Sequence, residues 1–456
     1  MNKTVVIDIV GLSESVIGAH TPFLNRYKNE HHFSRIQPPF PALTTSSQST
    51  YITGRNPSDH GIVGNGWYDR IEAEVKFWKQ SDHLVSSSKI WENARSQNPD
   101  FSCSKMFWWY NMYSDVEFSA TPRPQYRADG VKAPDCYTFP AALRDELQEE
   151  LGVFPLFNFW GPGANVKSSR WIAEASMIVD HKHDPTLTLI YLPHLDYALQ
   201  KYGHEDPRSA QSLREIDEIV ADLVNHYEKQ GSRIILLSEY GINPVHQPVH
   251  LNRIFREKGW LAIREENDRE LMDAGASRAF VVADHQIAHV YINDPSIHHS
   301  VRDVLEATPG IRKVLDSEDK KIWGIDHERA GELIAISDDD SWFTYYFWED
   351  DERAPDYARS VQIHKKPGYD PAEMFFDQAN PLIKARAAYK LLRKKLGFRY
   401  ILDVISLDAT LIKGSHGSPF VPEPFHPVCI ANTPLPGGAI KPEKMYDVIW
   451  DAIFGS

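Results

Sequence analysis

Cysteine is scarce in this chain of 456 residues, which contains only three. Cys103, Cys136 and Cys429 lie far apart, so no pair has the spacing of a zinc ribbon or of a disulfide framework. We therefore expect three buried thiols in a reducing compartment.

Long hydrophobic runs are also absent. No stretch reaches the roughly 18 apolar residues of a membrane-spanning helix, so the sequence predicts no membrane span. The apolar run at residues 5–10 is short and is interrupted by Asp8, which is not typical of a signal peptide. We expect a cytoplasmic protein.

Positive charge is in deficit. The chain has 49 Lys and Arg against 63 Asp and Glu, a net charge of −14. This balance argues against a nucleic acid polymer as partner, because phosphate backbones are bound by clusters of Lys and Arg. An acidic chain still binds small phosphate esters when metal ions supply the positive charge.

One stretch, residues 39–65, combines several signals. Prolines precede a run rich in Ser and Thr that begins at Thr44, which is typical of a helix start with free backbone N–H groups. The Thr44 hydroxyl can cap that helix, or it can act as a nucleophile where the helix start receives a phosphate. Taken alone, this stretch favours the cap, because Ser and Thr caps are common.

Three apolar runs predict strands buried on both faces of a parallel sheet. They span residues 5–10, 186–192 and 232–238. A helix predicted to start at Asp206 joins the last two in a right-handed crossover. Each run leads to a carboxylate at the sheet edge where open α/β sheets bind ligands. These carboxylates are Asp8, Asp196 and Glu239, although Asp8 alone could equally cap a turn.

A glycine-bracketed loop late in the chain adds His416. Carboxylates gathered at one edge repel one another unless cations neutralise them. The set of Asp8, Asp196, Glu239 and His416 therefore predicts one or two divalent metal ions, with Thr44 beside them. A metal pair about 4 Å apart stabilises both oxygens of an in-line displacement at phosphorus.

The pattern predicts an α/β fold with a mainly parallel central sheet, helices on both faces and an inserted cap. We expect one domain over residues 1–456, with the cap or subdomain at about 250–380. A second irregular insertion is expected at about 104–185, where prolines and aromatic residues interrupt regular elements. Trp108, Trp109 and Tyr110 are weak pocket candidates, because clustered aromatics belong more often to the core.

The order of these residues resembles the alkaline phosphatase superfamily. An aspartate is followed by a threonine, which precedes Thr-Gly and His-Gly-Ile-Val-Gly-Asn runs. Further along the chain come an aspartate after a buried strand, an acidic Ser-x-x-Gly turn and a late Gly-x-His-Gly. Within the superfamily the chain is similar, over nearly its whole length, to nucleotide pyrophosphatase/phosphodiesterases and to phosphonoacetate hydrolase. The resemblance implies an alkaline-phosphatase-like fold, zinc as cofactor, and Thr44 as a nucleophile that forms a phosphothreonine intermediate.

Two positions depart from the family pattern. Gln200 and Tyr240 stand where the family has metal-ligating histidines. Oxygen donors favour manganese or magnesium over zinc, so the metal could differ, or one site could be weak or empty. His194 is a weak candidate for the missing nitrogen donor, as is His204, but a structural role is the more common one for an isolated histidine. His364 has the same status.

Three functional hypotheses remain open. The first, which the sequence favours, is a metal-dependent phosphodiesterase or pyrophosphatase acting on a small phosphate ester. The second is a relative with a changed reaction, such as a phosphomonoesterase, phosphonate hydrolase or phosphotransferase. The third is a binding protein on a decayed catalytic fold, motivated by Gln200 and Tyr240. The sequence does not determine the substrate or the oligomeric state.

Overall fold

The computed structural model describes residues 1–128, 131–396, 398 and 401–455. Its α-helices are α1 (Pro22–Glu30), α2 (Thr44–Thr53), α3 (Pro57–His60), α4 (Ile90–Gln97), α5 (Ala142–Leu151), α6 (Leu156–Phe159), α7 (Lys167–His183), α8 (His194–Tyr202), α9 (Pro207–Glu228), α10 (Leu251–Glu257), α11 (His298–Ala307), α12 (Ser317–Ile322), α13 (Ile383–Lys395) and α14 (Met445–Phe454).

The strands fall into one large sheet, one medium sheet and several two-stranded ribbons. They are β1 (Thr4–Ile9), β2 (His32–Arg35), β3 (Gly66–Asp69), β4 (Glu74–Phe77), β5 (Cys103–Met106), β6 (Phe118–Pro122), β7 (Gln125–Tyr126), β8 (Lys132–Ala133), β9 (Cys136–Phe139), β10 (Leu187–Leu192), β11 (Arg233–Leu237), β12 (Asn243–Pro244), β13 (Gln247–Val249), β14 (Ala262–Glu266), β15 (Arg269–Asp273), β16 (Ala279–Asp284), β17 (Ile287–Ile292), β18 (Ile311–Leu315), β19 (Leu333–Ser337), β20 (Ser341–Phe343), β21 (Gly414–Ser415) and β22 (Val428–Ala431).

The central sheet has eight strands in the order β2-β22-β11-β1-β10-β5-β6-β9. The five strands from β11 to β6 run parallel, and antiparallel pairs close both ends of the sheet. All six residues of β1 and all six of β10 are buried, as expected for the middle of a parallel sheet. The predicted α/β fold with a mainly parallel sheet is confirmed.

Helices cover both faces of this sheet because successive side chains of a strand point to opposite sides. On one face Val5 and Ile7 pack in the same cluster as Ile216 of α9. On the other face Val6 packs in a cluster with Ile449 of α14. The buried apolar runs of the sequence therefore form the floor under the carboxyl edge of the sheet.

A second, antiparallel sheet of order β16-β17-β19-β18 lies within the range predicted for the cap. It has its own hydrophobic cluster, which includes Phe280, Tyr291 and Trp342. The range 104–185 contributes β5, β6 and β9 to the central sheet, in addition to helices and a short ribbon. The division into one domain with two insertions stays a prediction.

Two further sequence predictions concern membrane spans and thiols. Among the residues described, no helix has the length and apolar character needed to cross a membrane. Cys103, Cys136 and Cys429 are all buried and unpaired.

Candidate active site

Helix α2 places Thr44 at its first position, over the carboxyl edge of the central sheet. The N-cap residue is Leu43, whose side chain accepts no hydrogen bond, so the Thr44 hydroxyl is not the helix cap. Instead, Thr44 Oγ1 lies 2.9 Å from the phenol oxygen of Tyr240. Thr44 also contacts the carboxyl group of Glu239. The hydroxyl therefore faces the acidic edge of the sheet.

Asp8, Glu239 and Thr44 form what we call the nucleophile half of the site. Gln48, one helical turn after Thr44, donates from Nε2 to Asp8 Oδ2 at 3.3 Å and to Glu239 Oε1 at 2.5 Å. The backbone N–H of Trp109 donates to Gln48 Oε1 at 2.7 Å, which determines how the amide is oriented.

The electrostatics of this half are those of two buried acids in contact. Burial raises the pKa of Asp8 to about 7, and the hydrogen bond from Gln48 opposes that shift. Burial also raises the pKa of Glu239 well above its usual range, and the charge of Asp8 adds to the effect. Without a cation, the two carboxyl groups do not both stay ionised at neutral pH.

Asp196, Gln200 and His416 form the imidazole half of the site. Asp196 lies in the first turn of α8, directly after β10. Gln200 Nε2 donates to both oxygens of Asp196, at 3.0 and 2.9 Å, and its Oε1 accepts from the hydroxyl of Tyr369 at 3.1 Å. Burial raises the pKa of Asp196 to about 7.

His416 is held on three sides. Its Nδ1 donates to the carbonyl oxygen of Ala42 at 2.7 Å, which leaves the lone pair on Nε2. That Nε2 lies 3.9 Å from Asp196 Oδ1, too far for a hydrogen bond. One face of the ring stacks on Tyr240, with ring centres 3.5 Å apart and planes at 6°. Burial lowers the pKa of His416 well below its usual value, so the ring is neutral.

Three acceptor atoms of the site have no hydrogen-bond partner among the described residues: Asp8 Oδ1, Glu239 Oε2 and His416 Nε2. All three belong to side chains that the sequence predicted as metal ligands. No group of three His, Cys, Asp or Glu side chains that could hold a metal forms among these residues. The reason is that each half keeps only two such donors, since Gln200 and Tyr240 occupy the remaining positions.

The site opens into a cavity of about 1790 Å³ that Thr44, Asp196, Tyr240 and His416 line. Aromatic rings form one wall next to it. Trp78 contacts Trp109 at 4.9 Å between ring centres, and Trp160 contacts Tyr369 and Tyr197 at 5.8 and 5.3 Å. Such a wall accommodates an apolar or planar group.

The weaker candidates of the sequence divide between cavity and core. Trp109 lines the cavity, whereas Trp108 and Tyr110 are buried and are not among the described residues that line it. His194, in α8, has its Nε2 2.9 Å from Glu215 Oε2, in α9, so this histidine has a structural role between the two helices. His204 bonds to the carbonyl oxygen of Ile242. His364, by contrast, lines the cavity.

Sequence reasoning missed two parts of this site. Gln48 could have been found, because residues four apart on a helix share a face and Thr44 was already selected. Asp284 and His285, at the tip of the β16–β17 hairpin, carry no local signal. Asp284 accepts from the backbone and side-chain nitrogens of Asn65 at 2.8 and 3.1 Å, and so joins the β16–β17 hairpin to the motif at residues 39–65.

The chain that carries this site has counterparts among known proteins. The model of the type I phosphodiesterase/nucleotide pyrophosphatase family matches residues 4–370. The chain belongs to this family.

Curated relatives agree with this assignment. An uncharacterised pyrophosphatase/phosphodiesterase of Schizosaccharomyces pombe is 24% identical over 255 residues, 53% of this chain and 45% of the relative. Ectonucleotide pyrophosphatase/phosphodiesterase 2 of Saccharomyces cerevisiae is 20% identical over 365 residues, 76% of this chain and 65% of the relative. The chain thus spans less than two thirds of the length of these relatives.

Solved structures show the alkaline-phosphatase-like fold that the sequence predicted. Phosphonoacetate hydrolase from Sinorhizobium meliloti superposes with a TM-score of 0.63 at 14% identity, covering 99% of this chain and 96% of that one. Murine ectonucleotide pyrophosphatase/phosphodiesterase 5, solved as an inactive variant with AMP, gives 0.60 at 13% identity, covering 99% and 95%. At this identity the likeness concerns the fold alone.

Proposed function

We propose that this family member hydrolyses a phosphodiester or pyrophosphate bond in a small molecule, with Thr44 as nucleophile and divalent cations as cofactor. The observation that carries the proposal is the position of the Thr44 hydroxyl, in contact with both Tyr240 and Glu239. A merely structural threonine at a helix start would bond back to its own helix.

The residues present fit a divalent cation. Asp8 Oδ1 and Glu239 Oε2 in the nucleophile half, and His416 Nε2 in the imidazole half, are buried acceptors without a partner among the residues described. Buried acceptors of this kind require a cation or a proton. Asp8, Thr44 and Glu239 would hold one ion, and Asp196 and His416 another. The family resemblance favours zinc, whereas the oxygen-rich donor set favours manganese or magnesium.

A cation bound there supplies positive charge that neutralises the phosphate and lowers the pKa of the nucleophile. The protein's own groups supply the rest. Tyr240 and Glu239 orient Thr44 Oγ1, which attacks phosphorus while the bond to the leaving group breaks. The resulting phosphothreonine is then hydrolysed by water, which restores the hydroxyl. The aromatic wall beside Trp109 would receive the organic group of the ester.

The test compares the wild type with Thr44→Ala and Thr44→Ser. With bis(p-nitrophenyl) phosphate and added Mn²⁺, Zn²⁺ or Mg²⁺, we expect Thr44→Ala to lose turnover by about 10³-fold or more, while its circular dichroism stays unchanged. Rapid acid quenching of the wild type, followed by mass spectrometry, should show phosphate on the peptide that contains Thr44. Undiminished turnover by Thr44→Ala would refute the proposal.

A second candidate function is binding of a phosphate ester without turnover. It is favoured by Gln200, whose amide engages both oxygens of Asp196 where the family has an imidazole. In that case the purified protein would bind AMP or inorganic phosphate but show no turnover with any of the three cations. Analysis of the products distinguishes the remaining alternatives, a phosphomonoesterase, a phosphonate hydrolase and a phosphotransferase.

We also propose that the protein acts in the cytoplasm on a small phosphate ester rather than on a nucleic acid polymer. Three buried, unpaired cysteines and the net charge of −14 support this proposal. Cell fractionation and a binding assay with single-stranded DNA would check the two parts separately.

A further inference from the structure

Helix α13 (Ile383–Lys395) presents large apolar side chains to solvent. Backbone hydrogen bonds from Arg386 to the carbonyl oxygen of Leu382 and from Leu396 to that of Leu392 extend its helical spacing by one residue at each end. Four apolar residues of this segment are more than half exposed, and we call them the outer stripe: Leu382, Tyr389, Leu392 and Leu396, at 69%, 58%, 54% and 64%. Residues three, four or seven positions apart share one face of a helix, so the outer stripe is a single apolar face.

The opposite face of α13 is the one that packs on the protein. Ile383 is buried in a small cluster with Val404 and Ile405, and Ala387 packs against the same cluster. Because a helix turns by about 100° per residue, Ile383 and Ala387 lie on the far side of α13 from the outer stripe. The helix is therefore apolar on two sides, and the fold uses only the inner one.

The surroundings of the outer stripe are basic. Residues 378–402 contain seven Lys and Arg and no Asp or Glu, in a chain whose net charge is −14. Lys384 is exposed, and it forms no ion pair with any residue that the structure describes. Arg386 and Lys390 share a single carboxylate, that of Asp403. The segment therefore carries a local excess of positive charge beside its exposed apolar face.

An anionic bilayer surface fits this combination. A helix with one apolar face and neighbouring Lys and Arg lies in the plane of the lipid headgroups, where its apolar side chains enter the acyl boundary and its cations meet anionic lipids. A helix-binding groove of another protein would have to enclose α13, whose inner face is already packed. A second copy that offered its own outer stripe would bring two basic segments together. A flat, negatively charged surface meets neither difficulty.

The same segment borders the cavity of the candidate active site. Arg386 and Lys390 line the cavity that Thr44 lines. Phe398 and Ile401 line it as well, and these two residues are 59% and 52% exposed, so they lie at its rim. Contact of the outer stripe with a bilayer would therefore bring the rim of the cavity close to the lipid headgroups.

We propose that α13 seats the protein on an anionic membrane surface, with the outer stripe in the interfacial region and the neighbouring Lys and Arg against the anionic headgroups. The contact is peripheral, because the helix lies along the surface rather than through it. This inference goes beyond the proposed function and rests neither on turnover nor on a bound cation. It agrees with the proposed cytoplasmic location, since the cytoplasmic leaflet carries anionic lipids.

The test is cosedimentation of the full chain with vesicles of phosphatidylcholine, prepared with and without about 30% phosphatidylserine. The wild type is compared with the double variant Leu392→Gln/Leu396→Gln and with Lys384→Glu, at positions that the described lining of the cavity does not include. Glutamine keeps the helix propensity and removes apolar surface. The matched control is Ile322→Gln, at the last residue of α12, where the isoleucine is 81% exposed.

We expect the wild type to bind the anionic vesicles at least about tenfold more tightly than pure phosphatidylcholine, and to bind them less tightly as salt is raised. The double variant should lose about tenfold or more in affinity, because it removes apolar area from the interface. Lys384→Glu should lose about fivefold or more, because it reverses one charge. Ile322→Gln should bind like the wild type, and circular dichroism checks that all variants are folded.

A second measurement uses the wild type alone, so it does not depend on how a variant folds. Amide hydrogen exchange in peptides from α13 should slow when anionic vesicles are added. Absence of vesicle binding, equal binding to pure phosphatidylcholine, or undiminished binding by the double variant would overturn the inference. A wild-type dimer in sedimentation equilibrium that the double variant loses would also overturn it, because a second copy would then cover the outer stripe. Each of these results leaves the proposed hydrolysis at Thr44 untouched.

Discussion

The two halves of the site use a glutamine amide in different ways. In the nucleophile half, Gln48 bonds one oxygen of Asp8 and one of Glu239, and the second oxygen of each has no partner among the described residues. In the imidazole half, Gln200 bonds both oxygens of Asp196. The Gln48 amide therefore orients two carboxylates and leaves one oxygen of each available, whereas the Gln200 amide engages both oxygens of Asp196.

This difference predicts which half of the site tolerates substitutions better. The nucleophile half keeps two carboxylates, Asp8 and Glu239, and the second of them contacts Thr44. The imidazole half keeps one carboxylate, Asp196, and both of its oxygens are engaged by Gln200. We expect substitutions in the nucleophile half to have the larger effects.

The largest expected effect is on turnover. Asp8→Asn should lower kcat/KM for bis(p-nitrophenyl) phosphate by about 10³-fold, because it removes a charge beside the nucleophile. Asp196→Asn should lower it by about 10²-fold under the same conditions. A matched control is Asp222→Asn on the outer face of α9, which should retain turnover within about twofold. Equal losses from the two site variants would contradict the asymmetry.

The next effect is a pH dependence of stability in protein freed of metal by a chelator. Burial raises the folded-state pKa of Asp8 and of Asp196 to about 7, above the ordinary value near 4. The folded protein then binds more protons than the unfolded chain between these values. The free energy of unfolding should therefore fall as pH rises from about 4 to 7, by up to about 1.4 kcal/mol per pH unit for each group.

Urea titrations at several pH values measure this slope. Added Mn²⁺ should reduce it, because a cation stabilises the ionised carboxylates that bind it. Asp196→Asn should remove one group's share of the slope while leaving that of Asp8. A free energy of unfolding that rises over the same pH range in the absence of metal would refute the prediction.

The smallest expected effect is on the free energy of unfolding, and it differs between the two glutamine amides. Gln48→Leu leaves the Trp109 N–H and two carboxylates without their hydrogen-bond partner, so the free energy of unfolding should fall by about 1–3 kcal/mol. Gln200→Leu leaves one carboxylate and one hydroxyl without their hydrogen-bond partner, so the free energy of unfolding should fall by less. Gln211→Leu, at an exposed position of α9 that bonds only to neighbouring side chains of the helix surface, should stay within about 0.5 kcal/mol.

The core of the site could be predicted because its members follow buried strands. The runs near Asp8, Asp196 and Glu239 are mainly apolar, which predicts parallel strands, and parallel strands bring their carboxyl ends to one edge. Thr44 required the family resemblance as well, since its local sequence taken alone favours a helix cap. Gln48 could have been predicted too, because it lies four residues after Thr44 on the same helix face.

The residues of the β16–β17 hairpin could not be found in this way. His285 is separated from His416 by more than a hundred residues, and it lies in a two-residue turn whose sequence has no metal-binding spacing. Trp108, Trp109 and Tyr110 are adjacent in sequence, yet only the middle one of these three lines the cavity.

The amino-acid sequence by itself determined the α/β sheet, the edge at which the carboxylates gather and the family, because burial patterns and motif spacing are local along the chain. Only the tertiary structure decided which atoms of those side chains are left without partners. Hydrogen bonding between residues far apart in sequence depends on side-chain orientation, which periodicity does not record. The contact between the rings of His285 and His416 belongs to that second class of information.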